Sequence, residues 1–210
     1  YGKKDFAYTI SEVNDGKDGY TYDDKVVNVT VTVTDAGNGK ITAVPTYEPS
    51  AKFENSYHAT GSTGEGDLGG TKVSNGVVAE GQFSFELKDE QGKVLQTVKN
   101  AADGSFSFEP LSYDETQVGT HTYSIVEVND GQVGYTYDTH VATATVNVTD
   151  NGDGTLAVTT SYGETSREFD NPYKALGTST QLQAKKVLVG RDLAAGEFDF
   201  QLTDQSGKTY

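Results

Sequence analysis

The chain of 210 residues contains no cysteine, no methionine and no tryptophan. Without cysteine there is no disulfide framework, no thiol nucleophile and no cysteine-ligated zinc site. Without methionine the chain cannot begin at a native initiator, and both ends read as cut from something longer. Any signal peptide or wall anchor would then lie outside it. No apolar run approaches the roughly 18 residues that a membrane-spanning helix needs. Positive charge is also scarce. Sixteen Lys and Arg stand against 31 acids, giving a formal net charge of −15 and a pI near 4.4. No basic cluster with interleaved aromatics occurs, so nucleic acid is not an expected partner.

What is present suits β-structure. There are 24 glycines, 13 tyrosines and 9 phenylalanines, the mix expected of many short strands joined by tight turns. The decisive feature is internal repetition. YTISEVNDGKDGYTYD (8–23) returns as YSIVEVNDGQVGYTYD (123–138), an offset of 123 − 8 = 115. VVNVTVTVTDAGNGKITA (26–43) returns as VATATVNVTDNGDGTLAV (141–158), FENSY (53–57) as FDNPY (169–173), and GQFSFELKDEQGK (81–93) as GEFDFQLTDQSGK (196–208). The expected organisation is the closing part of one repeat (1–57), a linker (58–70), a complete repeat (71–173), a second linker (174–183) and the opening of a third repeat (184–210). The linkers are assigned on their Gly, Ser and Thr content.

Within a repeat the apolar pattern has period two. Val27, Val29, Val31 and Val33 share one face; Phe83, Phe85 and Leu87 alternate with Ser84 and Glu86. NDG, DAGNG and DNGDG supply turns that accept positive φ. No segment has convincing helical periodicity. These features predict an all-β fold, a sandwich of about seven or more strands per repeat.

The alternation also drives polar residues inward. In FENSY, Asn55 shares a face with Phe53 and Tyr57, and in FDNPY, Asn171 with Phe169 and Tyr173. Glu12 lies with Tyr8 and Ile10, and Glu127 with Tyr123 and Ile125. Burying an unpaired amide costs roughly 2–7 kcal/mol on transfer scales, so a twofold occurrence in register asks for a chemical reason. A lysine on the opening strand is the third candidate: Lys72 eleven residues before Phe83, and Lys186 twelve before Phe198, with Lys185 as a competing choice. A desolvated lysine loses its proton, and its amine can attack an Asn carbonyl. A buried Glu, protonated for the same reason, can polarise that carbonyl and pass protons to the departing ammonia. The bland alternatives are a solvated edge lysine, a strand slipped by one residue that turns Glu127 outward, and an Asn capping a strand end.

With these residues in view, the chain resembles the isopeptide-linkage repeat of Gram-positive, streptococcal-type major (backbone) pilins. The matching pieces are the opening lysine with GRDL and FDFQL, YxIxE, GYTYD, VxVxVTD and FxNxY. The resemblance implies Ig-like/CnaB-like sandwiches in tandem, with first and last strands adjacent and joined by a Lys–Asn amide. It assigns Lys72, Glu127 and Asn171 to the complete repeat, catalytic Glu12 with Asn55 to the first, and Lys186 to the third. It also implies a structural shaft at the cell surface, with neighbouring repeats or subunits of the same protein as partners and sortase as the polymerising enzyme. No sorting signal or YPK segment is present. The alternative is the stalk of a wall-anchored adhesin that binds host matrix or glycan. Each site would react once, which is maturation rather than enzyme turnover. The end segments suggest that two molecules can dock head to tail and react through Lys186 and Asn55.

Other motifs are discounted. Gly64, Gly66 and Gly69 fit GxGxxG without a strand–helix context. DNGDG (150–154) lacks the ligand spacing of a calcium loop. Asn28 and Asn147 head glycosylation sequons that read as a polar strand face. His58, His121 and His140 have no ligand spacing. No metal or cofactor is expected.

Overall fold

The two-residue period of the sequence becomes fifteen strands between Lys3 and Asp170. The structure, a computed structural model, describes residues 2–210 and divides into two units, Tyr1–Ala175 and Leu176–Tyr210.

The larger unit begins with β1 (Lys3–Ser11), β2 (Tyr20–Thr21), β3 (Val26–Asp35), β4 (Ile41–Glu48) and β5 (Ser56–Tyr57). β1, β3 and β4 form an antiparallel sheet in that order, and β2 pairs with β5. Val27 and Val29 are buried as the alternation requires, but burial fades towards Val33. Tyr8 and Ile10 on β1 are exposed. A sandwich buries a face only where a second sheet lies over it, and this sheet is covered only in part.

The complete repeat follows with β6 (Thr60–Ser62), β7 (Gly69–Val73), β8 (Ser84–Lys88), β9 (Val94–Lys99), β10 (Ser105–Ser107), β11 (Ser112–Asp114), a single 3₁₀ turn at Glu115–Gln117, β12 (Gly119–Val128), β13 (Ala142–Asp150), β14 (Leu156–Ser161) and β15 (Glu168–Asp170). One sheet has the order β14-β13-β12-β8-β9; facing strands form β10-β7-β15 and β11-β6. Phe83, Phe85, Leu87, Ile125 and Phe169 are completely buried between them, with Phe85 stacked on Phe106 at 3.7 Å. β7 and the last strand, β15, are parallel neighbours, with Phe169 opposite Lys72 and Asp170 opposite Val73. This is the all-β sandwich expected from the pattern.

Segment 58–70 differs from the linker expectation. β6 pairs with β11, and Ala59, Thr63 and Leu68 are buried. Two of its glycines permit close packing. A Cβ on Gly69 would stand 2.3 Å from the Phe106 carbonyl oxygen, and one on Gly61 would stand 2.7 Å from that of Leu156. Composition alone does not separate a glycine that bends from one that lets two backbones touch.

In the second unit the only pairing among the described residues is a bridge between Thr203 and Thr209. The strands expected to open a third repeat are not formed there. Val187, Val189, Phe198 and Phe200 remain exposed, because isolated strand segments have no partner to satisfy their backbone groups or cover their apolar face.

Candidate functional site

The parallel pairing of β7 and β15 sets Lys72 beside the end of β15, where Asn171 follows directly after Asp170, and β12 of the opposing sheet carries Glu127 towards both. The side chains of Lys72 and Glu127 are entirely out of solvent, and Asn171 is fully buried. Lys72 Nζ lies 3.1 Å from Glu127 Oε2 and donates to the Phe169 carbonyl at 3.1 Å. Asn171 Nδ2 donates to Glu127 Oε1 at 2.8 Å. One carboxyl group therefore touches the lysine amine with one oxygen and the asparagine amide nitrogen with the other. The lysine stem crosses an aromatic wall, with Nζ 4.8 Å from the Phe83 ring centroid. Phe83 is packed edge-on against Tyr135 and Tyr137.

These surroundings decide the charge. Burial pushes the Lys72 amine below the usual lysine range, against the hydrogen bond it donates to Glu127 and the attraction of that carboxyl. Burial likewise pushes the Glu127 carboxyl up, against Lys72 and Asn171. Both shifts favour the neutral form, because an amine and a carboxylic acid avoid the desolvation cost of a buried ion pair.

A fourth participant was not legible as a side chain on a strand face. The Asp138 backbone N–H donates to Asn171 Oδ1 at 2.7 Å. The Asp138 carboxylate fixes this arrangement, accepting from Asp170 N at 2.9 Å and from His140 N at 2.9 Å, with His140 Nδ1 at 2.8 Å. Burial works to raise the Asp138 carboxyl, but the hydrogen bonds from His140 and Asp170 outweigh it and hold it below the ordinary value. The signal available in the sequence was the Asp ending GYTYD in both repeats. Alternation arguments follow side chains and miss a backbone donor.

The first repeat repeats these hydrogen bonds without a lysine, but Asn55, expected to face inward, is exposed there. Asn55 Nδ2 donates to Glu12 Oε1 at 2.5 Å, and Asp23 N donates to Asn55 Oδ1 at 2.9 Å. Asp23 Oδ2 accepts from Glu54 N at 3.0 Å. Glu12 Oε2, the counterpart of the oxygen that meets Lys72, is buried with no hydrogen-bond partner. In the second unit, exposed Lys186 has its Nζ 4.5 Å from the Phe198 ring centroid, repeating the relation of Lys72 to Phe83. Among the described residues no group of three metal-ligating side chains converges, and no helix is long and apolar enough to cross a membrane.

A family model described as FctA, Spy0128-like isopeptide containing domain, matches residues 1–58 and 68–174. No curated protein matches. Among solved structures the chain is similar to two major pilin proteins from Streptococcus pyogenes. One is 23% identical, with 82% of this chain and 68% of that chain covered and a TM-score of 0.24. The other is 21% identical over the same shares, with a TM-score of 0.25.

Proposed function

The chain belongs to the family of Spy0128-like isopeptide-containing domains, and we propose that its complete repeat is a load-bearing link of a pilus shaft, closed by an amide between Lys72 and Asn171. The pilus role and assembly with further pilin subunits at the cell surface follow from that family. The cross-link rests on one observation, the Glu127 carboxyl bridging Lys72 Nζ and Asn171 Nδ2 inside a dry core.

The neutral Lys72 amine attacks Asn171 Cγ. Negative charge develops on Oδ1, where the Asp138 N–H already donates, in the manner of an oxyanion hole. Glu127 Oε2 takes the proton that Nζ loses, and the carboxyl returns a proton through Oε1 to Nδ2. The C–Nδ2 bond breaks, ammonia leaves, and the new bond is Nζ–Cγ. Glu127 ends as it began. The amide closes a loop of about 100 residues, worth roughly 4–5 kcal/mol on the loop-entropy account.

The mechanical consequence follows from topology. Once β6 is peeled from β11, the chain enters at the start of β7 and leaves at the end of the parallel β15, so tension pulls the two strands past each other in shear. A covalent bond across that pair carries the load in place of the core. In the first repeat, Glu12 and Asn55 offer the same chemistry to a lysine on an opening strand, and Lys186 sits on such a segment.

Intact-mass measurement tests the reading. The wild-type chain is expected to lack the mass of one ammonia, and Glu127→Gln to retain it, with a Lys72–Asn171 peptide pair recovered only from wild type. Full mass in freshly folded and aged wild type would refute the cross-link and leave the family assignment standing.

A further inference from the structure

The turn that supplies the Asp138 N–H runs on to His140, and both nitrogens of that ring face acceptors. Nδ1 lies 2.8 Å from Asp138 Oδ1, and Nε2 lies 3.2 Å from the Ser166 carbonyl oxygen. Burial raises the Asp138 carboxyl, yet its bonds with His140 and Asp170 hold it below the ordinary value. The ionised carboxylate accepts and does not donate, and a carbonyl does the same. A neutral imidazole has one N–H and satisfies one of these acceptors. The imidazolium has two and satisfies both. The ring also lies stacked on Phe169, with centroids 4.3 Å apart and planes inclined at 24°, a placement that favours a cation over the aromatic face.

The first repeat puts a lysine at the same place. Lys25 stands 140 − 25 = 115 residues before His140. Its backbone N–H donates to Asp23 Oδ1 at 3.1 Å and its Nζ to Asp23 Oδ2 at 2.7 Å. Lys25 Nζ lies 4.8 Å from the centroid of Phe53, the aromatic of FENSY that corresponds to Phe169 of FDNPY. The bond from Lys25 is the largest influence holding the Asp23 carboxyl down at about 2. Asp23 N donates to Asn55 Oδ1 as Asp138 N does to Asn171 Oδ1. Two different side chains therefore build one unit: a donor on the closing aromatic, an aspartate bound to it, and that aspartate's N–H on the asparagine carbonyl.

The other charged groups near His140 do not compete for it. Among the described residues Asp138 is the one carboxylate paired with the ring. On the facing segment Arg167 lies over the Tyr162 ring at 4.7 Å, Glu168 stands opposite Thr71, and Asp170 gives its N–H to Asp138 Oδ2. Behind Asp138 are Lys72 and Glu127. There the Asp138 charge works against burial at Lys72 and favours the ammonium form.

We propose that His140 is a positioning residue for the cross-linking step and makes that step sensitive to pH: as imidazolium it ties Asp138 to Ser166 and Phe169, which holds the Asp138 N–H on Asn171 Oδ1 and offsets the Asp138 charge. The proposal rests on the Lys72–Asn171 reading above. The imidazolium exists on the acid side of its titration and loses a proton as pH rises. Above that point one of its two anchors is gone, the N–H drifts from the carbonyl, and the uncompensated Asp138 charge holds Lys72 in its unreactive form. A lysine at this place keeps its charge across neutral pH.

The test follows ammonia loss by time-resolved mass spectrometry in the freshly refolded full chain. Wild type, His140→Lys and His140→Gln are compared from about pH 5 to about pH 8, the range in which histidine changes charge. The wild-type rate should match His140→Lys at the acid end and fall about threefold to tenfold below it at the alkaline end, a fraction of the 10²–10³ that loss of an oxyanion donor costs. His140→Gln, neutral throughout, should be slow at every pH. A ratio of wild type to His140→Lys that does not change with pH overturns the proposal, as does His140→Gln matching His140→Lys. Proton–nitrogen spectra of Glu127→Gln, in which the reacting groups stay apart, read the ring without the reaction. Both ring nitrogens should carry protons at the acid end, and the Asp138 amide signal should move as one proton is lost. An amide signal indifferent to that titration also overturns the proposal. Ammonia loss at one rate in all three chains refutes the role of His140 alone, whereas no loss in any of them refutes the cross-link and that role with it.

Discussion

Glu127 Oε2 meets Lys72 Nζ at 3.1 Å where neither side chain reaches solvent. Removing only the carboxyl's ability to exchange protons isolates its role. Glu127→Gln keeps the shape and the contact with Asn171, and is expected to fold with both reacting groups intact. Chemical unfolding should then show it roughly 4–5 kcal/mol less stable than cross-linked wild type, the loop-closure contribution for about 100 residues. Equal stability would mean that no covalent closure exists in wild type.

The rate of cross-linking should depend on pH as a bell. The reactive state is the neutral amine with the protonated carboxyl, which differs from the ion pair only in where one proton sits. Burial lowers Lys72 from 10.5 and raises Glu127 from 4.5, so that single-proton state is shifted towards its neutral form. On the acid side the pair gains a second proton on Lys72 and the nucleophile is lost. On the alkaline side it loses the proton of Glu127 and the acid is lost. Time-resolved mass spectrometry of freshly refolded protein across pH measures both limbs. A rate rising monotonically to high pH would show that Lys72 ionisation alone governs the step.

Asp138→Ala leaves every reacting atom in place but removes the acceptor that ties the turn to Asp170 and His140. The Asp138 N–H then drifts from Asn171 Oδ1. Loss of an oxyanion donor elsewhere costs about 10²–10³ in rate, and a displaced donor should cost about tenfold to a hundredfold here. Asp138→Asn, which keeps one accepting oxygen, should recover part of the rate. If Asp138→Ala matched wild type in rate while losing stability, the residue would serve the fold alone.

Gly69→Ala tests the packing of the segment before Lys72. The added methyl meets the Phe106 carbonyl oxygen at 2.3 Å, backbone against which no rotamer can yield. Overpacking of this kind costs about 1–3 kcal/mol, and thermal unfolding should show it in the Glu127→Gln background, where no covalent bond masks the loss. An unchanged melting temperature would restore the reading of 58–70 as a linker.

The sequence by itself determined the repeat, its β character and its polar anomalies. Period-two alternation fixes which face a residue takes, and the offsets of 115 residues (Glu12 to Glu127) and 116 residues (Asn55 to Asn171) show that the same anomaly occurs twice. Alternation cannot say which strands become neighbours. The parallel pairing of β7 with β15 brings Lys72 beside Asn171 across nearly the whole repeat, and only the closed sandwich sets that distance. Tertiary structure also decided the state of the glycine-rich segments. Gly61 and Gly69 lie where backbones touch, whereas the strand-patterned residues 184–210 form no strand beyond the Thr203–Thr209 bridge, because a strand exists only with a partner beside it. The Asp138 N–H belongs to the backbone, whose position no side-chain pattern encodes.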